Sequence, residues 1–102
     1  MKLNRNYEKW EDWQKIAYPF CHNQKELARY ELVEHIRIGR NYLFLIDIPE
    51  LQGHGFMRLF LNGHVFHTGG TINDGRKRFA QFEEGIRNKT LRVPYDTPLY
   101  YD

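Results

Sequence analysis

A chain of 102 residues, 41% of them hydrophobic and 16% aromatic, has material for one core and no second domain. Its net charge of +2 falls short of the cationic balance of a DNA-coating protein, and its lone cysteine, Cys21, excludes an intrachain disulfide. There is no serine anywhere, which removes serine-nucleophile catalysis and the Gly-Lys-Ser phosphate loop together.

The first element in chain order is a helix over Tyr7–Ala17. Trp10, Trp13 and Ala17 recur at helical spacing with Ile16 beside them, while Glu8, Glu11, Asp12 and Lys15 take the other face. Tyr18-Pro19 ends it, because the residue before proline is pushed out of the α region. A second helix is expected after it, with Asn23 as N-cap and Glu26 at the capping-box position. Its apolar positions are Leu27, Ala28, Leu32, Val33 and Ile36, and Gly39 supplies the stop.

Asn41–Ile48 is an apolar β-type run closed by Pro49 and reads as a central strand buried on both faces. Glu50–Gly55 is a loop. Phe56–Leu61 and His64–Thr68 then flank Asn62-Gly63, the preferred pair for a two-residue type I′ hairpin. That turn sets Leu61 opposite His64, Phe60 opposite Val65, Leu59 opposite Phe66, and Arg58 opposite His67. Met57, Leu59, Leu61 and Phe66 form the face expected to meet the helices. The other face, with Phe56, Phe60, Val65, Arg58 and His67, is only half apolar.

Asn73 or Asp74 can cap a third helix running to about Asn88, with Phe79, Phe82 and Ile86 inward. Gly85 should weaken its last turn by up to ~1 kcal/mol relative to alanine. The segment from Leu91 holds two prolines and three tyrosines, and is extended either as an edge strand or as a strap. The expected architecture is one α+β domain spanning residues 1–102: two N-terminal helices, a three-stranded antiparallel meander, one further helix and an extended C-terminal tail.

Several constellations bear on chemistry. Cys21-His22 with His64 and His67 invites a zinc reading, but structural zinc ligands are spaced two to five residues apart and the hairpin turns His64 and His67 to opposite faces. No metal and no cofactor are expected. Cys21 and His22, as chain neighbours, are poorly placed for a nucleophile–base pair, so Cys21 reads as a small apolar residue beside Phe20. No catalytic set is complete.

An anion site is the sharper possibility. Arg58 and His67 are cross-strand neighbours, Gly69 and Gly70 end their strand, and Arg76, Lys77 and Arg78 load the start of the next helix. Three cations there oppose the helix dipole, which a bound phosphate would offset. Such a site would serve RNA binding or a metal-independent ribonuclease, with His67, Arg58 and one of His54, His64 or Glu50 as acid, base and charge stabiliser. The tail offers a different surface, since Tyr95, Tyr100 and Tyr101 are amphipathic anchors of the kind interfaces favour. On balance the sequence implies a small cytosolic, non-enzymatic regulator or inhibitor docking on another macromolecule, a protein before a nucleic acid and not a membrane. Small chains of this kind are common on phages and mobile elements.

Overall fold

Among the described residues, four antiparallel strands lie side by side in the order in which the chain makes them: β1 (Glu31–Ile38), β2 (Asn41–Pro49), β3 (Gly55–Leu61) and β4 (His64–His67). This computed structural model describes residues 9–49, 55–68 and 70–101. Helix α1 (Asp12–Ala17), a 3-10 turn over Tyr18–Phe20 and the short α2 (Gln24–Leu27) precede the sheet, and α3 (Ile72–Arg87) follows it. The broad class is therefore the expected α+β.

The sheet has one strand more than the sequence reading gave it. The expected second helix lasts only from Gln24 to Leu27, and Glu31–Ile38, including Leu32, Val33 and Ile36, is a strand. Asn23 does cap α2, its side chain accepting the Glu26 N–H at 2.8 Å, but the Glu26 carboxylate reaches back to the His22 N–H. The difference has a physical cause. β1 carries a bulge between Leu32 and Glu34, so Leu32 faces Ile46 while Glu34 faces Leu45 and Val33 is the extra residue. The bulge breaks the two-residue alternation and leaves apolar residues at 32, 33 and 36, a spacing that imitates a helical stripe. Ile38 is the residue that fits only the strand, for it shares a face with Ile36 and would fall on the far side of a helix. Gly39 fits both readings, because a helix stop and a hairpin turn each want positive φ. Here it has φ 61 as the first of two turn residues, with Arg40 outside the positive-φ region, the pattern of a type II′ turn.

The second hairpin follows the sequence closely. All four cross-strand pairs from Leu61–His64 to Arg58–His67 are formed, and Asn62 and Gly63 take φ 51 and 88 as a type I′ turn requires. β4 stops at His67, one residue earlier than expected. Helix α1 is also shorter, beginning at Asp12 after the Glu11 N–H donates to Gln14 Oε1. Trp10 precedes the helix and tilts against Tyr18, while Tyr7 and Glu8 lie outside the described residues. Thr71 caps α3 in place of Asn73 or Asp74, accepting the Asp74 N–H.

Both sheet faces are covered, including the one expected to be half apolar. On the first, Tyr42, Phe44, Ile46 and Phe60 meet Trp13, Ala17, Tyr18, Cys21, Leu27 and Tyr30 of the N-terminal segment. A row of rings crosses that face: Phe20 edge-on to Phe60, Phe60 stacked on Phe44 at 4.6 Å, and Phe44 against Tyr42. On the second face Leu43, Leu45, Met57, Leu59 and Leu61 pack under Phe79, Phe82 and Ile86 of α3, with Leu91, Val93 and Leu99 of the tail beside them. The four residues Leu43–Ile46 are fully buried, so β2 is central as expected. At about 1.5–3 kcal/mol per side chain they supply roughly 6–12 kcal/mol of transfer free energy before entropy is subtracted.

Glycine lets α3 lie close to the sheet and to the tail. A Cβ on Gly75 would stand 3.1 Å from Met57 Cε, and one on Gly85 would stand 2.9 Å from Leu91 Cβ. The helix ends in a Schellman motif: Thr90 N–H donates to Gly85 O, Lys89 N–H donates to Ile86 O, and Lys89 holds φ 59. The tail beyond is a strap rather than an edge strand, with one turn closed by the Thr97 N–H on Pro94 O at 2.9 Å.

Candidate functional site

The residues proposed for the anion site are not brought to one place. Arg58 pairs with Ile46 on one side and His67 on the other, so both Arg58 and His67 lie on the face covered by the N-terminal segment. Helix α3 covers the opposite face, and the sheet stands between them. The three helix cations also diverge. Arg76 approaches Glu34 of β1 at 4.0 Å, whereas Arg78 lies over the ring of Phe82, which meets Phe66 of β4. Lys77 is exposed between them. The Arg76–Glu34 pair is surface-exposed and worth at most ~1 kcal/mol. Gly70 is exposed with open space around it, and Gly69 lies outside the described residues, as do Glu50 and His54.

Around Arg58 a tighter polar group does form. Arg58 Nη1 donates to Met57 O at 2.9 Å, and that carbonyl also accepts the Thr68 hydroxyl. Its positive charge is felt at Tyr30, whose hydroxyl donates to Glu26 Oε1 at 3.0 Å. Burial, then the hydrogen bond to Glu26, pushes the Tyr30 phenol well above its ordinary range. Glu26 is held below the usual carboxylate range, first by the His22 N–H. The Cys21 thiol moves upward through burial and the nearby Glu26 charge, and its Sγ donates to Tyr18 O. A thiol pushed upward in this way carries little thiolate, the reactive form, at neutral pH. Among the described residues no three His, Cys, Asp or Glu side chains gather closely enough to hold a metal ion.

The tyrosines of the tail fare differently from one another. Tyr95 is wholly exposed, at 102% of its reference area, within the Pro94–Thr97 turn. Tyr100 and Tyr101 are about two-fifths exposed and engaged within the chain: the Arg40 guanidinium lies 4.4 Å over the Tyr100 ring, and Tyr101 donates its hydroxyl to Leu91 O.

What fixes the strap is a residue that the sequence reading passed over. Asn41, 2% exposed, donates through Nδ2 to Tyr100 O at 2.7 Å and to Ile38 O, while its Oδ1 accepts the Tyr100 N–H and Asn62 Nδ2. Asn62 in turn donates to Pro98 O at 2.8 Å and accepts the Tyr42 N–H through Oδ1. Two hairpin turns and the tail are thereby tied at one end of the sheet. Beside this knot Ile38, Gly39, Ile86, Arg87 and Lys89 line an open hollow of about 220 Å³. No local signal could reveal Asn41, because its decisive partner lies 59 positions along the chain.

No family model, curated protein or solved structure matches the chain. Among the described residues no helix is long and apolar enough to cross a membrane.

Proposed function

We propose that the chain is a non-enzymatic docking module whose C-terminal strap presents Tyr95, flanked by Tyr100 and Tyr101, to a partner protein. The observation that carries this reading is the combination of full exposure and fixed support at Tyr95. Val93 and Leu99 on either side pack against the core, and Asn41 and Asn62 hold the backbone of residues 98 and 100. An aromatic side chain on a backbone already ordered loses less entropy on binding than one on a loose tail, and buried tyrosines dominate many interfaces. Asp96 beside Tyr95 favours a protein over the phosphate backbone of a nucleic acid. A cytosolic setting and a regulatory or inhibitory role belong to the same proposal.

The test is capture from an extract of the source cells on immobilised wild-type protein and on Tyr95→Ala, each with and without nuclease. The expected result is a protein retained by wild type in both arms and weakened by about 2 kcal/mol or more in the variant, the range of an interface hot spot. Capture that survives Tyr95→Ala unchanged sinks the strap as the docking surface. Capture abolished by nuclease, together with retention on heparin that falls steeply with salt, would favour an RNA-directed protein instead.

A further inference from the structure

We propose that Asn62 is a site of spontaneous deamidation that the docked tail holds closed. The sequence contains a single Asn-Gly pair, Asn62-Gly63. Glycine has no side chain to hinder its backbone nitrogen, so that nitrogen is the most accessible nucleophile available to a preceding asparagine. In the reaction the Gly63 nitrogen attacks Asn62 Cγ and a new C–N bond forms. The Gly63 amide proton is lost, the side-chain nitrogen leaves as ammonia, and a five-membered imide results. Water then opens the imide to aspartate or isoaspartate.

The fold opposes the first step. Asn62 Oδ1 accepts the Tyr42 N–H at 2.8 Å and Nδ2 donates to Asn41 Oδ1 at 3.1 Å and Pro98 O at 2.8 Å. The Asn62 N–H is itself bonded to Tyr42 O, so the side-chain oxygen continues the strand ladder one position past Leu61. For Cγ to turn toward Gly63 these three side-chain bonds must break. Two of them lead to the tail, directly through Pro98 and indirectly through Asn41, which binds Tyr100 on both its N–H and its carbonyl. Opening of the tail thus removes the Pro98 bond and loosens Asn41, leaving the Tyr42 N–H as the last restraint on the amide.

The product cannot re-form what was lost. A carboxylate at position 62 has no hydrogen to donate and would face two acceptors, Asn41 Oδ1 and Pro98 O. Isoaspartate also adds a backbone atom inside a two-residue turn whose register aligns β3 with β4. Deamidation therefore converts a transient release of the strap into a permanent one.

The experiment incubates the full chain under native, mildly alkaline conditions and follows Asn62 by peptide mapping and mass spectrometry, beside a synthetic peptide of the same segment. Leu99→Ala loosens the tail at its core contact, and Tyr100→Ala removes the ring under Arg40 while leaving the core intact. Leu27→Ala, buried on the opposite sheet face, serves as a control for general destabilisation. Wild-type protein is expected to react far more slowly than the peptide, and the tail variants about tenfold faster than wild type, equivalent to about 1.4 kcal/mol of docking. The proposal is overturned if wild type reacts as fast as the peptide, if neither tail variant changes the rate, or if Leu27→Ala accelerates it as much as they do. None of these readouts involves a partner, so the outcome is independent of the docking proposal.

Discussion

Replacing Gly85 by alanine sets two general rules against each other, and the structure decides between them. Helix propensity alone favours the change: glycine inside a helix costs about 1 kcal/mol relative to alanine. The position is buried, however, and the new Cβ would lie 2.9 Å from Leu91 Cβ, 3.1 Å from its Cα and 3.2 Å from its nitrogen. Backbone atoms cannot rotate aside as a side-chain tip can. Leu91 is held in place because its own N–H and that of Thr90 both donate to the Gly85 carbonyl, at 3.1 and 2.8 Å. Overpacking of this kind costs about 1–3 kcal/mol. The sum is a net loss of about 1 kcal/mol, or about 4–8 °C in Tm for a domain of this size. Urea denaturation of Gly85→Ala beside Gly70→Ala makes the comparison clean. Gly70 has nothing within 4 Å and lacks positive φ, so alanine there should be neutral or slightly stabilising. If Gly85→Ala unfolds at higher urea than wild type, the close approach of helix and tail is wrong.

Three further substitutions probe other parts of the fold. Gly63→Val should cost more than ~1 kcal/mol, because φ 88 is barred to a β-branched residue, and an unchanged melting curve would remove the type I′ turn. Lys89→Gly should raise stability by a few tenths to about 1 kcal/mol by relieving a non-glycine residue at φ 59, and a drop in Tm would count against the Schellman end. Tyr30 has a phenol raised above its ordinary value of 10.0, so the stability it supplies is fully present below pH 10 and is lost as pH rises beyond it. Tyr30→Phe should lose about 1 kcal/mol at neutral pH with the Glu26 hydrogen bond and show a shallower alkaline decline. An identical alkaline slope in the variant would show that Tyr30 does not drive it.

What could be read from the sequence and what could not divides along the range of the interactions involved. The Asn62-Gly63 hairpin was legible because two adjacent residues with positive φ determine turn, register and facing together. β2 was legible because burial on both faces leaves an uninterrupted apolar run. β1 was hidden by one inserted residue at the bulge, which shifted Leu32, Val33 and Ile36 into a helical rhythm. In the candidate sites, cross-strand pairing of Arg58 with His67 followed from register, and so did the face that α3 covers, but the covering of the Arg58–His67 face by the N-terminal segment did not. A strand of this meander shows which residues share a face, and not whether a half-apolar face will be covered as well. Without β1 in the sheet, the N-terminal segment and α3 could not be assigned to separate faces.

The strictly sequential strand order also has a kinetic consequence. Each strand pairs with the one made just before it, and β1–β2 and β3–β4 close across turns of only two residues. Hairpins of that kind zip in about 1–10 μs and require little loop closure. Asn41 is different, because the loop it closes to Tyr100 spans 59 positions. The amide has its turn-side partner, Ile38 O, as soon as the first hairpin forms, whereas the carbonyl and N–H of Tyr100 arrive only when the rest of the chain has folded. Nascent chains emerging from a ribosome would thus display a finished sheet before the strap is latched. Refolding followed at Tyr100 should lag refolding followed at Trp13.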